Sequence, residues 1–242
     1  MRLAAAIVVL LGMGRCGSHR KLTVAAASNL TTVFEEIGRG FTEETGVEVV
    51  FTYGSTAALA RQVEEGAPVD VFAAADTEHI ASLVLAHKLV NQAVYARGQL
   101  AMWSPQVKVA TLADLARPEI KFVAIAQPEL APYGEAALHA LRASCSWGAV
   151  KSKLVYAGSV SQAKQFAATG NAEVALTAYS LVFREAGSVV LVDANLYPPI
   201  DQALGVVTGS PNIEDARRFA AFVTGAKGGA ILVSNGYLLV PR

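Results

Sequence analysis

The sequence predicts an α/β fold built as two lobes, each a mostly parallel sheet flanked by helices. Three observations support this prediction. From Leu22 onward, short apolar runs suited to buried parallel strands alternate with amphipathic helix patterns. Turn- and cap-forming residues such as Ser, Asn, Thr and Gly separate many of these segments. The length of 242 residues allows one large domain or two small ones.

The first block has a βαβαβ pattern. Apolar runs predict strands at 22–27, 47–52 and 69–76. The helical spacing of apolar residues that begins at Leu30 predicts an amphipathic helix, with Ser28 or Asn29 as its N-cap. A second helix follows at 57–65. Ligands of such sheets bind beyond the carboxyl ends of the strands, where these helices begin.

The second block starts after Gly98 and continues the alternation, so one chain crossing between lobes is expected near residues 97–100. The predicted strands are 100–103, 122–126, 154–157, 174–177, 189–192 and 203–207. The predicted helices lie near 112–116, 134–143, 161–168, 213–224 and 229–234.

The composition excludes several classes of function. Apolar residues make up 53% and charged residues 17%, which excludes intrinsic disorder. The 20 basic and 20 acidic side chains balance, which removes the electrostatic argument for nucleic acid or membrane-surface binding. The two Cys cannot build a disulfide framework. His79 and His87, eight apart on a predicted helical stretch, would face different sides, so metal ligation is disfavoured.

The N-terminus is typical of a secretory signal peptide over residues 1–20. Arg2 precedes an apolar run at 3–14 that is too short to span a membrane stably. A buried N-terminal strand or helix is the alternative. Cys16 could carry a lipid anchor, although Arg15 before it disfavours this. Removal of residues 1–20 leaves 17 basic and 20 acidic side chains and one Cys, in a periplasmic or other extracytoplasmic protein.

Hydroxyl and amide side chains stand where three predicted helices begin. These positions are Ser28-Asn29, Ser55-Thr56 and the segment 158–161. Ordinary N-capping explains most such residues. However, free N–H groups and the helix dipole also make a helix start a site for anions, and parallel strands bring their helix starts to one edge. Tyr133, before another helix, is either a core aromatic or a pocket hydroxyl.

Enzyme signatures are weak. The chain contains no G-x-S-x-G, Walker or H-E-x-x-H motif. An enzyme on a similar fold, acting on a phosphorylated or other anionic small substrate, is the alternative function, and it predicts a poised base or metal cluster in the cleft. A cytoplasmic ligand sensor would need a DNA-binding segment and no signal peptide.

Several segments together resemble the periplasmic molybdate-binding proteins of ATP-binding-cassette transporters. The resemblance implies a class II periplasmic-binding-protein fold, with one lobe at 22–97 plus 206–242 and the other at 98–205. It further implies that the lobes close over one oxyanion. The segments that carry it are TVAAASNL at 23–30, the block at 54–76 at most of its positions, and GNAE at 170–173. Phe41, Gly46, Glu48 and Val49 carry it as well.

The resemblance also implies a set of ligand-binding residues. By position these are Ser28, Asn29, Ser55, Thr56, Tyr133 and Val160. Ser55 and Thr56 are alternatives for one contact, and Val160 would donate its backbone N–H. Some members use a tyrosine at a column that here holds Ala178, with Tyr179 adjacent. This difference suggests that Tyr133 supplies the phenol instead.

The chemistry of these positions suits a fully deprotonated tetrahedral dianion, because every one of them can donate hydrogen bonds. A protonated phosphate would need an acceptor such as Asp. The resemblance implies a protein that is not an enzyme: it takes up molybdate, and tungstate as well, without a cofactor and without a direct ligand to molybdenum. Its implied partner is a membrane permease, with no nucleic acid, and it is expected to be a monomer.

Overall fold

The computed structural model describes residues 20–144 and 146–240. Residues 1–19 of the predicted signal peptide, which include the candidate lipidation site Cys16, lie outside the described residues, as does Cys145. Within these ranges, no helix has the length and apolar character needed to cross a membrane.

In the part of the chain that the structure describes, ten strands form two five-stranded sheets. The strands are β1 (Lys21–Ala27), β2 (Glu48–Gly54), β3 (Val71–Ala73), β4 (Leu89–Gly98), β5 (Leu100–Ser104), β6 (Val123–Ala126), β7 (Leu154–Ala157), β8 (Val174–Ala178), β9 (Ser188–Leu191) and β10 (Ile200–Val207).

Helices cover the sheets. They are α1 (Thr31–Thr45), α2 (Thr56–Glu64), α3 (Glu78–Leu85), α4 (Pro132–Ala143), α5 (Trp147–Val150), α6 (Val160–Ala168), α7 (Tyr179–Val182), α8 (Ile213–Thr224) and α9 (Ala226–Ser234), with 3-10 turns at Ser28–Leu30, Leu112–Ala116, Lys151–Lys153 and Ala194–Leu196.

The predicted α/β fold with mostly parallel sheets is confirmed. The first sheet has the order β2-β1-β3-β10-β4, and only β10 runs against the other strands. The second sheet has the order β7-β6-β8-β5-β9, and only β5 is reversed. Each sheet thus sends the carboxyl ends of its parallel strands to one edge, where ligand sites form.

The chain differs from the sequence predictions at several places. Strand β4, which carries it out of the first sheet, was not predicted. The predicted helix at 112–116 is a 3-10 turn. Strand β10 begins at Ile200 rather than at 203 and pairs with β4 from that residue onward. Residues 200–205, which the sequence assigned to the second lobe, therefore belong to the first sheet.

An aromatic cluster holds α1 against the first sheet and thereby fixes where the chain turns after β1. Phe34 and Phe41 on α1 are fully buried and both contact Phe219 of α8 edge-on, with ring centroids 6.2 and 5.3 Å apart. Burial of rings of this size supplies much of the stability of such a core. The start of α1 is therefore held rigidly.

Candidate anion-binding site

Helix starts from both sheets meet in the cleft between them. In the first sheet, β1 ends before Ser28 and β2 ends before Ser55. In the second, β6 leads to Tyr133 in the first turn of α4, and β7 leads to Val160, the first residue of α6. Each helix start presents backbone N–H groups that lack an acceptor within the helix.

Ser28 lies at the cleft and is 4% exposed. Neither Ser28 nor Asn29 caps α1, so the capping prediction is wrong. A 3-10 turn precedes the helix instead, and the side chain of Thr31 donates to the Ser28 carbonyl at 2.7 Å. The Ser28 hydroxyl accepts from the Ser161 backbone N–H at 3.4 Å, which joins the two lobes. Because the side chain is not used as a cap, it is available in the cleft.

Ser55 and Thr56 open α2, and both keep a hydroxyl proton to donate. The Thr56 hydroxyl accepts from the Ala75 backbone N–H at 3.2 Å, which uses a lone pair and leaves its own proton free. Ser55 is a buried residue whose side chain does not cap the helix. The two hydroxyls therefore stay alternatives for one contact. Next to them, Ala57 N–H donates to the Leu130 carbonyl at 3.2 Å, a second contact between the lobes.

Val160 is buried and offers its backbone N–H at the start of α6. Ser159 caps this helix by accepting from the Gln162 N–H at 3.3 Å. The Val160 carbonyl accepts from the Thr177 hydroxyl at 3.1 Å, which ties the turn to β8. The N–H of Val160 has no acceptor within its helix.

Tyr133 is 1% exposed, and its two polar groups lie in different places. Since Pro132 occupies the first position of α4 and has no N–H, the first N–H of this helix belongs to Tyr133. Its hydroxyl accepts from Gln202 Nε2 at 2.9 Å. The expected contact between this phenol and an anion stays a prediction.

A buried hydrogen-bond network behind these helix starts was not predicted from the sequence. Gln202 Oε1 contacts Asn29 Nδ2 at 2.9 Å and the Tyr95 hydroxyl at 3.0 Å. The Tyr237 hydroxyl lies 2.9 Å from both Asn29 Nδ2 and the Asn29 carbonyl, and 3.0 Å from the Ser180 hydroxyl. The one sequence signal for this network was Gln202 in β10, but the predicted strand at 203–207 began after that residue.

Ala178 and Tyr179 lie where β8 ends and α7 begins, and not at the four helix starts described above. Ala178 ends β8 and is fully buried. The Tyr179 ring packs against Phe183 with a centroid distance of 5.7 Å, and it faces the backbone of Gly236. Their predicted role in binding stays a prediction.

The helix starts hold no cationic side chain. None of the residues at the four helix starts is Lys or Arg. Burial raises the pKa of Tyr95 and of Tyr133 well above the ordinary value, so both phenols stay protonated at neutral pH. Within residues 20–144 and 146–240, no group of three or more His, Cys, Asp and Glu is placed to hold a metal ion.

A cavity of about 350 Å³ opens beside these helix starts, between residues 75–79, 128–136 and 198–201. It carries a hydrogen bond between His79 Nδ1 and Asp76 Oδ2 at 2.8 Å, which raises the pKa of the imidazole. His87 was expected on the same helical stretch but lies beyond the end of α3, with a positive φ of 58°.

Two mixed sheets whose helix starts face one another across a cleft define a two-lobed solute-binding protein. Residues 22–238 match the family of bacterial extracellular solute-binding proteins, and the chain belongs to that family. The predicted fold class and family resemblance are thereby confirmed.

Relatives of known function support the same family. The chain is 34% identical to the molybdate-binding protein ModA of Rhodobacter capsulatus, covering 97% of this chain and 95% of that protein. It is also 34% identical to ModA of Azotobacter vinelandii, covering 96% of each. The solved periplasmic molybdate-binding protein of A. vinelandii superposes with a TM-score of 0.84 at 29% identity, covering 91% of this chain and all of that one.

A sulfate-binding protein from Mycobacterium tuberculosis has the same fold. Its TM-score is 0.75 at 19% identity, and the match covers 93% of this chain and 88% of that one. At this identity the likeness shows the fold alone. The selection of an anion therefore has to be argued from the residues in the cleft.

Proposed function

We propose that this chain binds molybdate in the cleft between its lobes and delivers it to the permease of an ATP-binding-cassette transporter. The named ligand of its 34%-identical relatives supports the choice of anion. The observation that carries the proposal is the meeting of four helix starts, two from each sheet, in one buried place without a cationic side chain.

The donors at these helix starts match a tetrahedral dianion. We assign the contacts to the hydroxyl and N–H of Ser28, the hydroxyl of Ser55 or Thr56, and the N–H groups of Tyr133 and Val160. Asn29 contributes beside Ser28. Thr56 stays an alternative to Ser55, because the bond it accepts from the Ala75 N–H leaves its own proton free. Charge-assisted hydrogen bonds of about 1.5–3 kcal/mol each, together with the helix dipoles, are enough to hold an anion without a counter-charge.

The contacts between the lobes support binding by closure. Ser161 N–H to Ser28 and Ala57 N–H to Leu130 both cross the cleft. We assign residues 20–98 and 200–240 to one lobe and 99–199 to the other, following the membership of the strands in the two sheets. Closure then brings the N–H donors of α4 and α6 onto an anion already held by the first lobe.

The wider role follows from the family. We expect tungstate, which carries the same charge and shape, to bind as well. The protein would act outside the cytoplasm as a monomer, with no cofactor and no catalytic step. The alternative, an enzyme acting on a phosphorylated substrate, needs a poised base or metal cluster in the cleft.

Calorimetric titration of the purified protein with molybdate, tungstate, sulfate and phosphate tests the proposal. We expect heat and tight binding with the first two anions and much weaker binding with the others. The absence of heat with molybdate, or an equal affinity for sulfate, would refute the assignment.

A further inference from the structure

One atom of the buried network lacks a partner. Asn29 is 1% exposed, and its Oδ1 is fully buried without a hydrogen bond to any described residue. Its Nδ2, by contrast, has an acceptor for each of its two protons, namely Gln202 Oε1 and the Tyr237 hydroxyl, both at 2.9 Å. A buried unsatisfied acceptor costs about 1–3 kcal/mol, so this arrangement is unfavourable at Asn29.

The proton count at Tyr95 adds a second conflict. Its hydroxyl lies 2.9 Å from the Ala74 carbonyl and 3.0 Å from Gln202 Oε1. Both neighbours are acceptors, and a hydroxyl has only one proton to donate. One of the two oxygen–oxygen contacts is therefore without a proton.

A second arrangement of the same atoms removes both conflicts. If the side-chain amides of Asn29 and Gln202 are both rotated by about 180°, the N and O of each amide exchange places. Gln202 Nε2 then donates to Asn29 Oδ1 and to the Tyr95 hydroxyl. Tyr95 then donates to Ala74, and Gln202 Oε1 accepts the proton of Tyr133. The shape of the core is unchanged, because amide N and O are nearly equal in size.

The second arrangement has a cost of its own. The Tyr237 hydroxyl would then face two acceptors, the Oδ1 and the carbonyl of Asn29, with one proton. The unpartnered atom becomes Asn29 Nδ2, a donor, in place of an acceptor. The two arrangements are therefore close in energy, and they differ in whether the free end of Asn29 accepts or donates.

We infer that Gln202 is a positioning residue that sets which end of the Asn29 amide is presented to the bound anion. This inference rests on the proposed function. An anion can only accept, so it stabilises the arrangement whose free atom donates, and binding shifts the network toward it. Gln202 bonds to the Tyr133 hydroxyl of the second lobe in either arrangement, as the donor before the rotation and as the acceptor after it, so the residue that orients Asn29 also contacts the other lobe.

The test is a double-mutant cycle on molybdate affinity. Gln202→Met removes the amide at nearly constant volume. We expect it to weaken binding about 10-fold in the wild-type background, as befits a lost orientation of one buried donor. In an Asn29→Ala background, the same substitution should change affinity by less than about 2-fold, because Gln202 then has nothing to orient.

Gln202→Glu is the sharper variant. Its carboxylate can only accept, so it holds Asn29 Nδ2 and leaves Oδ1 free, and its charge also opposes a dianion. We expect a loss of at least about 100-fold, about the effect of two removed charge-assisted bonds. Tyr133→Phe is the matched control, since it removes the other partner of Gln202 without touching Asn29, and it should cost less than Gln202→Met.

Thermal unfolding of every variant separates positioning from stability. A purely structural role would lower the Tm of Gln202→Met and weaken binding equally in both backgrounds, and that result would overturn the inference. Wild-type affinity for Gln202→Glu would overturn it as well. If the wild-type protein binds no molybdate, the proposed function fails first, and the inference fails with it.

Discussion

Gly98 lies where the chain leaves the first sheet, and its lack of a side chain makes room for the buried network. A Cβ placed there would lie far inside contact distance of the Tyr133 hydroxyl, 2.5 Å from Gln202 Nε2 and 2.8 Å from Tyr133 Cζ. Both neighbours are buried, so neither can move into solvent. We therefore expect Gly98→Ala to push Tyr133 and Gln202 apart.

The size of the effect follows from two costs. Overpacking a core costs about 1–3 kcal/mol. Separating the Gln202 amide from the Tyr133 oxygen costs about 1–3 kcal/mol more, whereas replacing glycine stiffens the unfolded chain and returns less than about 1 kcal/mol. The free energy of unfolding should therefore fall by about 2–5 kcal/mol.

Urea unfolding followed by circular dichroism measures this change. Gly148→Ala is the control, since a Cβ at Gly148 has no neighbour within 4 Å, and this variant should be as stable as wild type or slightly more stable. Adding Tyr133→Phe to Gly98→Ala should recover part of the loss, because it removes the nearest atom. A Gly98→Ala variant within about 0.5 kcal/mol of wild type would refute the packing argument.

Three further predictions concern the site and its support. Ser28→Ala should weaken molybdate binding by about 1–3 kcal/mol in calorimetry, the cost of one lost donor to a buried anion, whereas the exposed control Ser152→Ala should leave it unchanged; equal affinities would remove Ser28 from the site. Asp70 is buried and accepts from the Thr23 N–H at 2.7 Å and the Ser210 hydroxyl at 2.6 Å. Asp70→Ala should therefore lower the urea unfolding free energy by about 2–4 kcal/mol without changing affinity measured on the folded protein, and a loss below about 0.5 kcal/mol would contradict this. Burial raises the pKa of three network tyrosines, which keep their protons in the folded state at pH values where the unfolded chain releases them. Stability should thus be unaffected below about pH 10 and fall above it, and urea midpoints that stay constant to pH 11 would count against buried phenols.

The fold could be predicted from the sequence because its signals are local. Apolar runs such as 22–27 and the helical spacing from Leu30 identify buried strands and amphipathic helices without knowledge of their neighbours. Strand β4 was not predicted because some of its ten residues are polar and exposed, and because its pairing with β10 is irregular. The antiparallel insertion of β10 between β3 and β4 also has no local signal, since it joins segments more than 100 residues apart.

The sequence by itself determined that hydroxyl and amide side chains follow the strands of both sheets, at Ser28-Asn29, Ser55-Thr56 and 158–161. Only the tertiary structure decided which partners these groups meet. Thr56 accepts from Ala75, whereas Ser55 has no such partner, and Asn29 meets Gln202 from 173 positions away in the chain. The physical reason is that a donor becomes available to a ligand only when no other group in the folded chain uses it, and that depends on partners that local patterns do not specify.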